Sequence, residues 1–239
     1  MTFENMVLYF AIYSFIGWIM ESAIESVIKR KFINRGFLTG PICPIYGVGA
    51  ILIIVSSEWI NINFGSNFAS FIINIVFATI LVTMLEYFTG LALEKIFNCK
   101  WWDYSKIPFN FHGYICLPFS LIWGLLAFVL LQIAHPIISQ NILSIFGWMK
   151  GYFVILILLY LLADTIKSVF EILDLRKVIF NYLNLPANKY YEKIIQYKRI
   201  FFAFPRLLIL NAGILNRDVR SVLNGRINKI KGEIKSRFQ

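Results

Sequence analysis

Long apolar stretches alternate with short charged loops along most of the chain. Five stretches are long enough to cross a bilayer, since a spanning helix needs roughly 20 mostly apolar residues. Hydrophobic residues make up 59% of the chain and charged residues 15%, against about 25% charged in a typical soluble domain. The pattern predicts an all-α, polytopic membrane helical bundle with about five transmembrane helices. The predicted spans cover residues 5–28, 41–57, 68–93, 114–134 and 148–169.

The charges of the loops predict an orientation for this bundle. The loop after the first span reads KRKFINR and the loop after the third span contains three lysines, whereas the loops after the second and fourth spans contain no Lys or Arg. Because loops rich in Lys and Arg stay in the cytoplasm, the N-terminus is predicted outside and the C-terminus inside. We expect a multi-pass protein of the plasma membrane.

A basic tail follows the last span. From Lys167 to Gln239 the chain has 15 Lys and Arg residues against five Asp and Glu residues, which accounts for the net charge of +10. Such a tail suits anionic lipid headgroups, so membrane lipids are expected partners and nucleic acid is not. We predict a transmembrane domain over 1–173 and a basic, helical, cytoplasmic or interfacial tail over 174–239. Within the tail, the apolar segment 200–215 is expected to lie along the interface rather than to form a sixth span.

Three predicted spans contain acidic residues, which are costly in a bilayer and need a reason to be there. Glu21 lies in the first span, Glu86 and Glu94 in the third, and Asp164 in the fifth. All three spans are predicted to run from outside to inside, so the acids fall in the cytoplasmic half. Facing one another, they would form a polar cavity open to the cytoplasm, with Arg35 at its floor. The alternative is that the acids only hold helices together or pair with lysines of the loops.

Two segments that lead into the second and fourth spans resemble each other. They read NRGFLTGPICPIYGVGA (34–50) and NFHGYICLPFSLIWGLLA (110–127), with Ile-Cys pairs that end at Cys43 and Cys116. A duplicated helical hairpin explains the similarity, and so does chance likeness between apolar helices. Glycines and prolines interrupt the first segment where a helix should begin. They either free backbone amides to bind an anion beside Arg35 or let helices pack closely.

These two segments, with LEY around Glu86, LEK around Glu94 and WWDYS over 101–105, resemble the bacterial CmpB-type "putative ABC-transporter type IV" membrane family. The resemblance covers roughly residues 7–135. It implies a membrane protein with five or six helices and a permease-like role. Members of that family commonly have Arg after the Gly of the second segment, where this chain has Tyr114, so no charge-binding role is predicted there.

The predicted function is that of a permease-like membrane protein that binds or transports a small polar or amphipathic solute through the cytoplasm-facing cavity. The chain has no ATP-binding P-loop motif, so we expect a separate ATPase or another membrane subunit as a partner, and a homo-oligomer is also compatible with the sequence. Neither a metal-ligand spacing nor a cofactor motif occurs, so no metal and no cofactor are predicted. The candidate solute-binding residues are Glu21, Arg35, Glu86, Glu94, Trp101, Trp102, Asp103, Asn110 and Asp164.

Two other functions stay open on the sequence alone. The first is an intramembrane enzyme that acts on a lipid or its headgroup, with Asp103, His112 and Cys116 as catalytic candidates. An aromatic surrounding would raise the pKa of Asp103, and a carboxylate–histidine pair would activate the thiol. Whether the chain is an enzyme is therefore undecided. The second is a non-catalytic lipid-binding or assembly partner that works through its tail.

Overall fold

Five long helices dominate the computed structural model, which describes residues 1–65, 67–180, 197–204 and 207–209. All five are long and apolar enough to cross a membrane, which confirms the predicted fold class. The orientation in the membrane stays a prediction of the loop charges. The spans are α1 (Phe3–Lys29), α2 (Pro44–Phe64), α3 (Phe68–Phe97), a fourth span over Leu117–Leu143, and α6 (Gly147–Phe180).

The fourth span contains a π-helical turn. It consists of α4 (Leu117–Val129), the turn Leu130–Ala134 and α5 (His135–Leu143). Pro136 has no amide hydrogen and cannot donate the hydrogen bond that an α-helix requires at this position. The π-helical turn ends two residues earlier, at Ala134. The helix therefore continues past residue 134, where the sequence pattern predicted the end of the span.

Spans that follow each other in the sequence pack against each other. α1 packs against α2, α2 against α3, and α3 against α4, while α6 contacts mainly α1. Small residues allow close approach between α1 and α2. A Cβ atom on Gly17 would collide with the ring of Tyr46, so this glycine lets Tyr46 lie directly against α1.

The loop between α3 and α4 carries three short strands. β1 is Cys99–Lys100, and β2 (Asn110–Phe111) pairs antiparallel with β3 (Ile115–Cys116). The turn between β2 and β3 is tight, because His112 and Gly113 have φ values of 52° and 71°. Glycine adopts such positive φ values readily, whereas they are less favourable for other residues.

The described part of the tail folds back onto this loop. It contains α7 (Lys198–Ala203) and β4 (Leu208–Ile209), and β4 pairs antiparallel with β1. The predicted interfacial segment thus contributes the last four residues of this six-residue helix and the two-residue strand, and neither element is long enough to span. The other residues of that segment, and most of the predicted tail, lie outside the described residues. The boundary predicted at residue 173 falls within α6, and the division into two parts stays a prediction.

Candidate functional site

Two carboxylates of α1 hold the guanidinium of Arg35. Arg35 Nε lies 3.3 Å from Glu21 Oε2, and Arg35 Nη1 lies 3.3 Å from Glu25 Oε2. The same Nη1 also donates to the carbonyl of Ala203 in α7, at 3.0 Å. The positive charge of Arg35 is therefore balanced within the protein, and an anionic ligand would have to compete with two carboxylates for it.

Glu21 also connects α1 to α2. Its Oε1 accepts a hydrogen bond of 2.6 Å from the hydroxyl of Tyr46. The ring of Tyr46 in turn packs against the ring of Trp123 on α4, with 5.3 Å between the centroids. This contact brings the indole N–H of Trp123 close to the middle of the bundle.

Glu86 on α3 is the most buried of the predicted acids, with 5% of its surface exposed. Its carboxylate accepts hydrogen bonds from Trp123 Nε1 at 2.9 Å and from the hydroxyl of Tyr104 at 3.2 Å. None of the ion pairs formed among the described residues involves Glu86. Glu86 is thus a carboxylate within a span that is held by neutral donors. We call Glu21, Tyr46, Glu86, Tyr104 and Trp123 the carboxylate centre.

The charge at this centre acts on Tyr104, which belongs to the loop between α3 and α4. Burial raises the pKa of the Tyr104 hydroxyl, and the nearby charges of Glu86 and Glu21 raise it further. The hydroxyl therefore keeps its proton and stays a donor to Glu86. Glu21 and Glu86 are linked through the packed rings of Tyr46 and Trp123, which donate to one carboxylate each.

Glu94 lies apart from this centre, opposite Tyr114. Burial and the interaction with Glu94 raise the pKa of the Tyr114 hydroxyl to about 12. Trp102 holds Tyr114 in place, because its Nε1 donates to the Tyr114 carbonyl at 2.8 Å. The Oε2 atom of Glu94 is buried without a hydrogen-bond partner among the described residues. Tyr114, which stands where the resemblance implies Arg, therefore faces a carboxylate.

Asp164 binds the interrupted segment that precedes α2. Its Oδ2 accepts from the amide of Gly40 at 2.9 Å, and Ser168 Oγ, one turn further along α6, accepts from the amide of Thr39 at 2.9 Å. A Cβ atom on Gly40 would collide with Asp164 and with the hydroxyl of Tyr160. The glycine is thus needed for close packing, and these two amides bind α6 rather than an anion.

Trp101 is buried in an aromatic cluster that includes Phe204 of the tail. It is 3% exposed, and its ring lies 5.1 Å from that of Phe37, 6.2 Å from that of Phe97 and 4.7 Å from that of Phe204. The tryptophan that the sequence offered as a solute-binding residue therefore helps to fix the tail segment against the loop.

A second arginine fixes the tail segment from the other side. Arg199 Nη1 donates to the carbonyls of Gly36 and Leu38 at 3.1 and 3.2 Å, and Arg199 Nη2 lies 3.6 Å from Glu171 Oε2. With the bond from Arg35 to Ala203, two arginines tie residues 197–204 to the loop between α1 and α2. The floor of the predicted cavity is thus covered by the chain itself.

Asp103 is held by its own loop. Its Oδ1 lies 3.1 Å from Lys100 Nζ and accepts from Ser105 Oγ at 2.5 Å. Burial by itself would raise the pKa of Asp103, but the hydrogen bonds from Ser105 and the charge of Lys100 outweigh burial and lower it. The direction is opposite to the raised pKa that the aromatic surroundings predicted. An ionised Asp103 has no proton to donate near neutral pH, and its lowered pKa makes it a weaker general base.

The other polar candidates of this loop have separate partners. His112 Nδ1 lies 3.2 Å from the hydroxyl of Tyr87, and Cys116 is 2% exposed at the start of α4. Asn110 donates to the carbonyl of Ile107 at 2.7 Å and so closes the loop. His112 and Asp103 thus contact different groups, His112 the hydroxyl of Tyr87 and Asp103 the side chains of Lys100 and Ser105.

Of the acids predicted to share one cavity, Glu21 and Glu86 are linked through Tyr46 and Trp123. Asp164 bonds instead to the amide of Gly40, and Glu94 interacts with Tyr114. Tyr46, Tyr104 and Trp123, which complete the centre, were missed by sequence reasoning. A signal for Tyr46 and Trp123 exists, because each is the aromatic residue of an Ile-aromatic-Gly triplet, IYG at 45–47 and IWG at 122–124. The triplets follow Cys43 and Cys116 in the two similar segments and place an aromatic donor beside each carboxylate.

Comparison with known proteins places the chain in a family. It belongs to the family described as "Putative ABC-transporter type IV", whose model matches residues 8–169. The match confirms the resemblance seen in the motifs, and it includes the whole carboxylate centre. No curated protein and no solved structure matches the chain. The family and the five apolar helices together define a multi-pass membrane protein of a transport-related class.

Proposed function

We propose that the protein is a permease-like membrane component that binds a small polar or amphipathic solute at the carboxylate centre. The observation that carries this proposal is the burial of Glu86 in α3, where its described partners are two neutral donors. A carboxylate inside a span is expensive and marks a candidate pathway or binding site. A proton, or a cationic or hydrogen-bonding group of a solute, would reduce that cost.

A small apolar groove beside the centre offers space for a short apolar part of an amphipathic solute. The groove has a volume of about 130 Å³ and runs between α1, α2 and the fourth span. Tyr46 and Trp123 form part of its wall, and these residues also donate to Glu21 and Glu86. A solute with an apolar part in the groove would place its polar group at the two carboxylates.

The proposed entry lies on the side that the loop charges predict to be cytoplasmic. Residues 197–204 cover that side and are tied down by Arg35 and Arg199. Solute entry would therefore require this segment to move away from the loop between α1 and α2. Energy from ATP would have to come from a separate ATPase, which we propose as a partner in the plasma membrane.

The test compares three forms of the full-length protein, each extracted from native membranes into lipid nanodiscs. They are the wild type, Glu86→Gln and, as a charge-matched control, Glu4→Gln in the first turn of α1. Mass spectrometry identifies the small molecules and lipids that co-purify. We expect a molecule retained by the wild type and by Glu4→Gln and reduced about tenfold or more in Glu86→Gln, the effect of losing a charged hydrogen-bond partner.

Equal retention by all three proteins would remove the carboxylate centre as the binding site. A chemically altered lipid in the wild-type sample, absent from Glu86→Gln, would replace the permease with an enzyme that acts on lipids. Monodisperse elution of Glu86→Gln establishes that the variant is folded before its ligands are compared.

A further inference from the structure

A second cavity lies at the other end of the bundle. It has a volume of about 410 Å³ and is enclosed by the C-terminal half of α2, the start of α3 and the π-helical turn of the fourth span. Its volume falls within the range of small-molecule sites, roughly 300–1,000 Å³. Asn74 in its wall and Glu86 are both on α3, 12 residues apart, which is about 18 Å along a helix. The two sites are therefore separate.

One wall of this cavity contains a buried acceptor without a partner. Asn74 is 7% exposed, and its Nδ2 donates to Asn61 Oδ1 at 3.1 Å. Its Oδ1 accepts no hydrogen bond from any residue that the structure describes. A buried amide oxygen is costly when unpaired. Other atoms of Asn74 line the cavity, so a rotation of its amide would turn this acceptor towards a ligand that donates a hydrogen bond.

The π-helical turn contributes the opposite wall. Gln132 belongs to the turn and His135 follows it, and both line the cavity. His135 is fixed by the hydroxyl of Tyr13, 3.0 Å from its Nδ1. Single π turns within α-helices occur frequently at functional sites, and here the turn places an amide side chain at the cavity.

The charge of the lining selects the class of ligand. Glu58 contributes a carboxylate, and no Lys or Arg occurs among the lining residues described. Phe71 adds an aromatic ring to the lining, and the faces of such rings attract cations. Ile54 and Leu131 add apolar surface that could not coordinate a metal ion, and no group of three or more His, Cys, Asp or Glu suited to a metal occurs among the described residues. An organic cation fits this mixture.

We propose that this cavity, which we call the amide pocket, binds a small organic ammonium compound that carries hydroxyl or amide groups. Glu58 pairs with the ammonium group, and Gln132 binds polar atoms of the ligand. Asn74 Oδ1 accepts from a hydroxyl or amide of the ligand once its amide has rotated towards the cavity. The site shares no residue with the carboxylate centre, so its test does not depend on whether the proposed function is correct.

The test uses the full-length protein in nanodiscs of phosphatidylglycerol, a lipid without an ammonium group, and measures ethanolamine binding by titration calorimetry. We expect saturable binding of ethanolamine and none of acetate, which has similar size and opposite charge. Glu58→Gln should weaken binding about tenfold or more, as expected for loss of a charged partner. Gln132→Ala, at an exposed position, should weaken it several-fold and serves if Glu58→Gln fails to fold.

A control variant outside the pocket tests whether the loss of any surface carboxylate weakens ethanolamine binding. Glu4→Gln removes a carboxylate near the N-terminus of α1 without touching the pocket, and it should bind ethanolamine as the wild type does. Equal affinity of the wild type and both pocket variants, or the absence of saturable binding to the wild type, would overturn the proposal.

Repeating the titration in phosphatidylethanolamine nanodiscs identifies the source of the ammonium group. A lower apparent affinity for free ethanolamine, with no further loss in Glu58→Gln, would show that the lipid headgroup occupies the same site. An unchanged affinity would assign the pocket to free solutes. Both results support an ammonium site.

Discussion

The carboxylate centre and the amide pocket share α2, α3 and the fourth span but satisfy their polar groups in different ways. At the centre, Glu21 and Glu86 accept hydrogen bonds from aromatic donors of other elements. At the pocket, Glu58 lines open space and Asn74 keeps an acceptor without a described partner. In this structure the acids of the centre are bonded to groups of the protein, whereas the pocket contains a carboxylate beside open space and an acceptor without a described partner.

This difference predicts how the two regions respond to mutation. Where side chains satisfy each other, removing one leaves its partners buried and unpaired, and both stability and binding should suffer. Where side chains line a cavity, their removal should affect ligand binding and leave the free energy of unfolding almost unchanged. The four predictions that follow test this contrast.

Glu86→Leu should show the largest loss of stability. The substitution leaves Trp123 Nε1 and the Tyr104 hydroxyl without an acceptor, at about 1–3 kcal/mol for each donor. Glu86→Gln keeps an acceptor oxygen and should cost less than about 1 kcal/mol. Unfolding in detergent, followed by circular dichroism, measures both variants. Equal stability of the two would mean that the aromatic donors do not depend on Glu86.

Arg35→Gln should have the next largest effect, about 1.5–3 kcal/mol, because it removes charged hydrogen bonds to Glu21 and Glu25. It also removes the bond to Ala203, so trypsin should cleave faster at Lys198 and Arg199. Arg35→Lys keeps the charge and should show an intermediate cleavage rate. If the cleavage rate does not change in either variant, Arg35 does not hold the tail segment.

Gly17→Ala should cost about 1–3 kcal/mol, the usual range for overpacking a core. The added Cβ collides with the ring of Tyr46 and would push its hydroxyl away from Glu21. Gly147→Ala is the matched control, since a Cβ there meets nothing within 4 Å. Thermal melting of the two variants measures the difference, and identical melting temperatures would contradict close packing of α1 on Tyr46.

Asn74→Leu should have the smallest effect on stability, about 1 kcal/mol or less. The variant loses the hydrogen bond to Asn61 but also removes the unpaired buried oxygen, and these terms oppose each other. The same polar-to-Leu change thus has a large effect at Glu86 and a small one at Asn74. A loss at Asn74 as large as that at Glu86 would show that the amide pocket is as tightly bonded as the centre.

The spans, and the acids within them, could be predicted from the sequence because both follow from local composition. A bilayer requires long apolar helices, and a Glu such as Glu86 is conspicuous among them. The π-helical turn could not be predicted, since the pattern around Pro136 is equally consistent with the end of a helix. The short strands of the loop between α3 and α4 likewise depend on pairing, in one case with the tail.

The partners of the acids could not be predicted because they are distant along the chain. Asp164 binds the amide of Gly40, 124 positions away, and hydropathy gives no information about such a contact. The amide pocket was missed for another reason. Asn61 and Asn74 lie near the ends of spans, where polar residues are ordinary, so only their three-dimensional arrangement distinguishes them.

The most direct test of the account is a structure determined from native membranes, in which mass spectrometry of the same sample has established that the co-purified solute is present. The account predicts density for that solute in contact with Glu86 and Trp123, with residues 197–204 displaced from the loop between α1 and α2. Density for the solute elsewhere, with Trp123 and Tyr104 still bonded to Glu86, would contradict it.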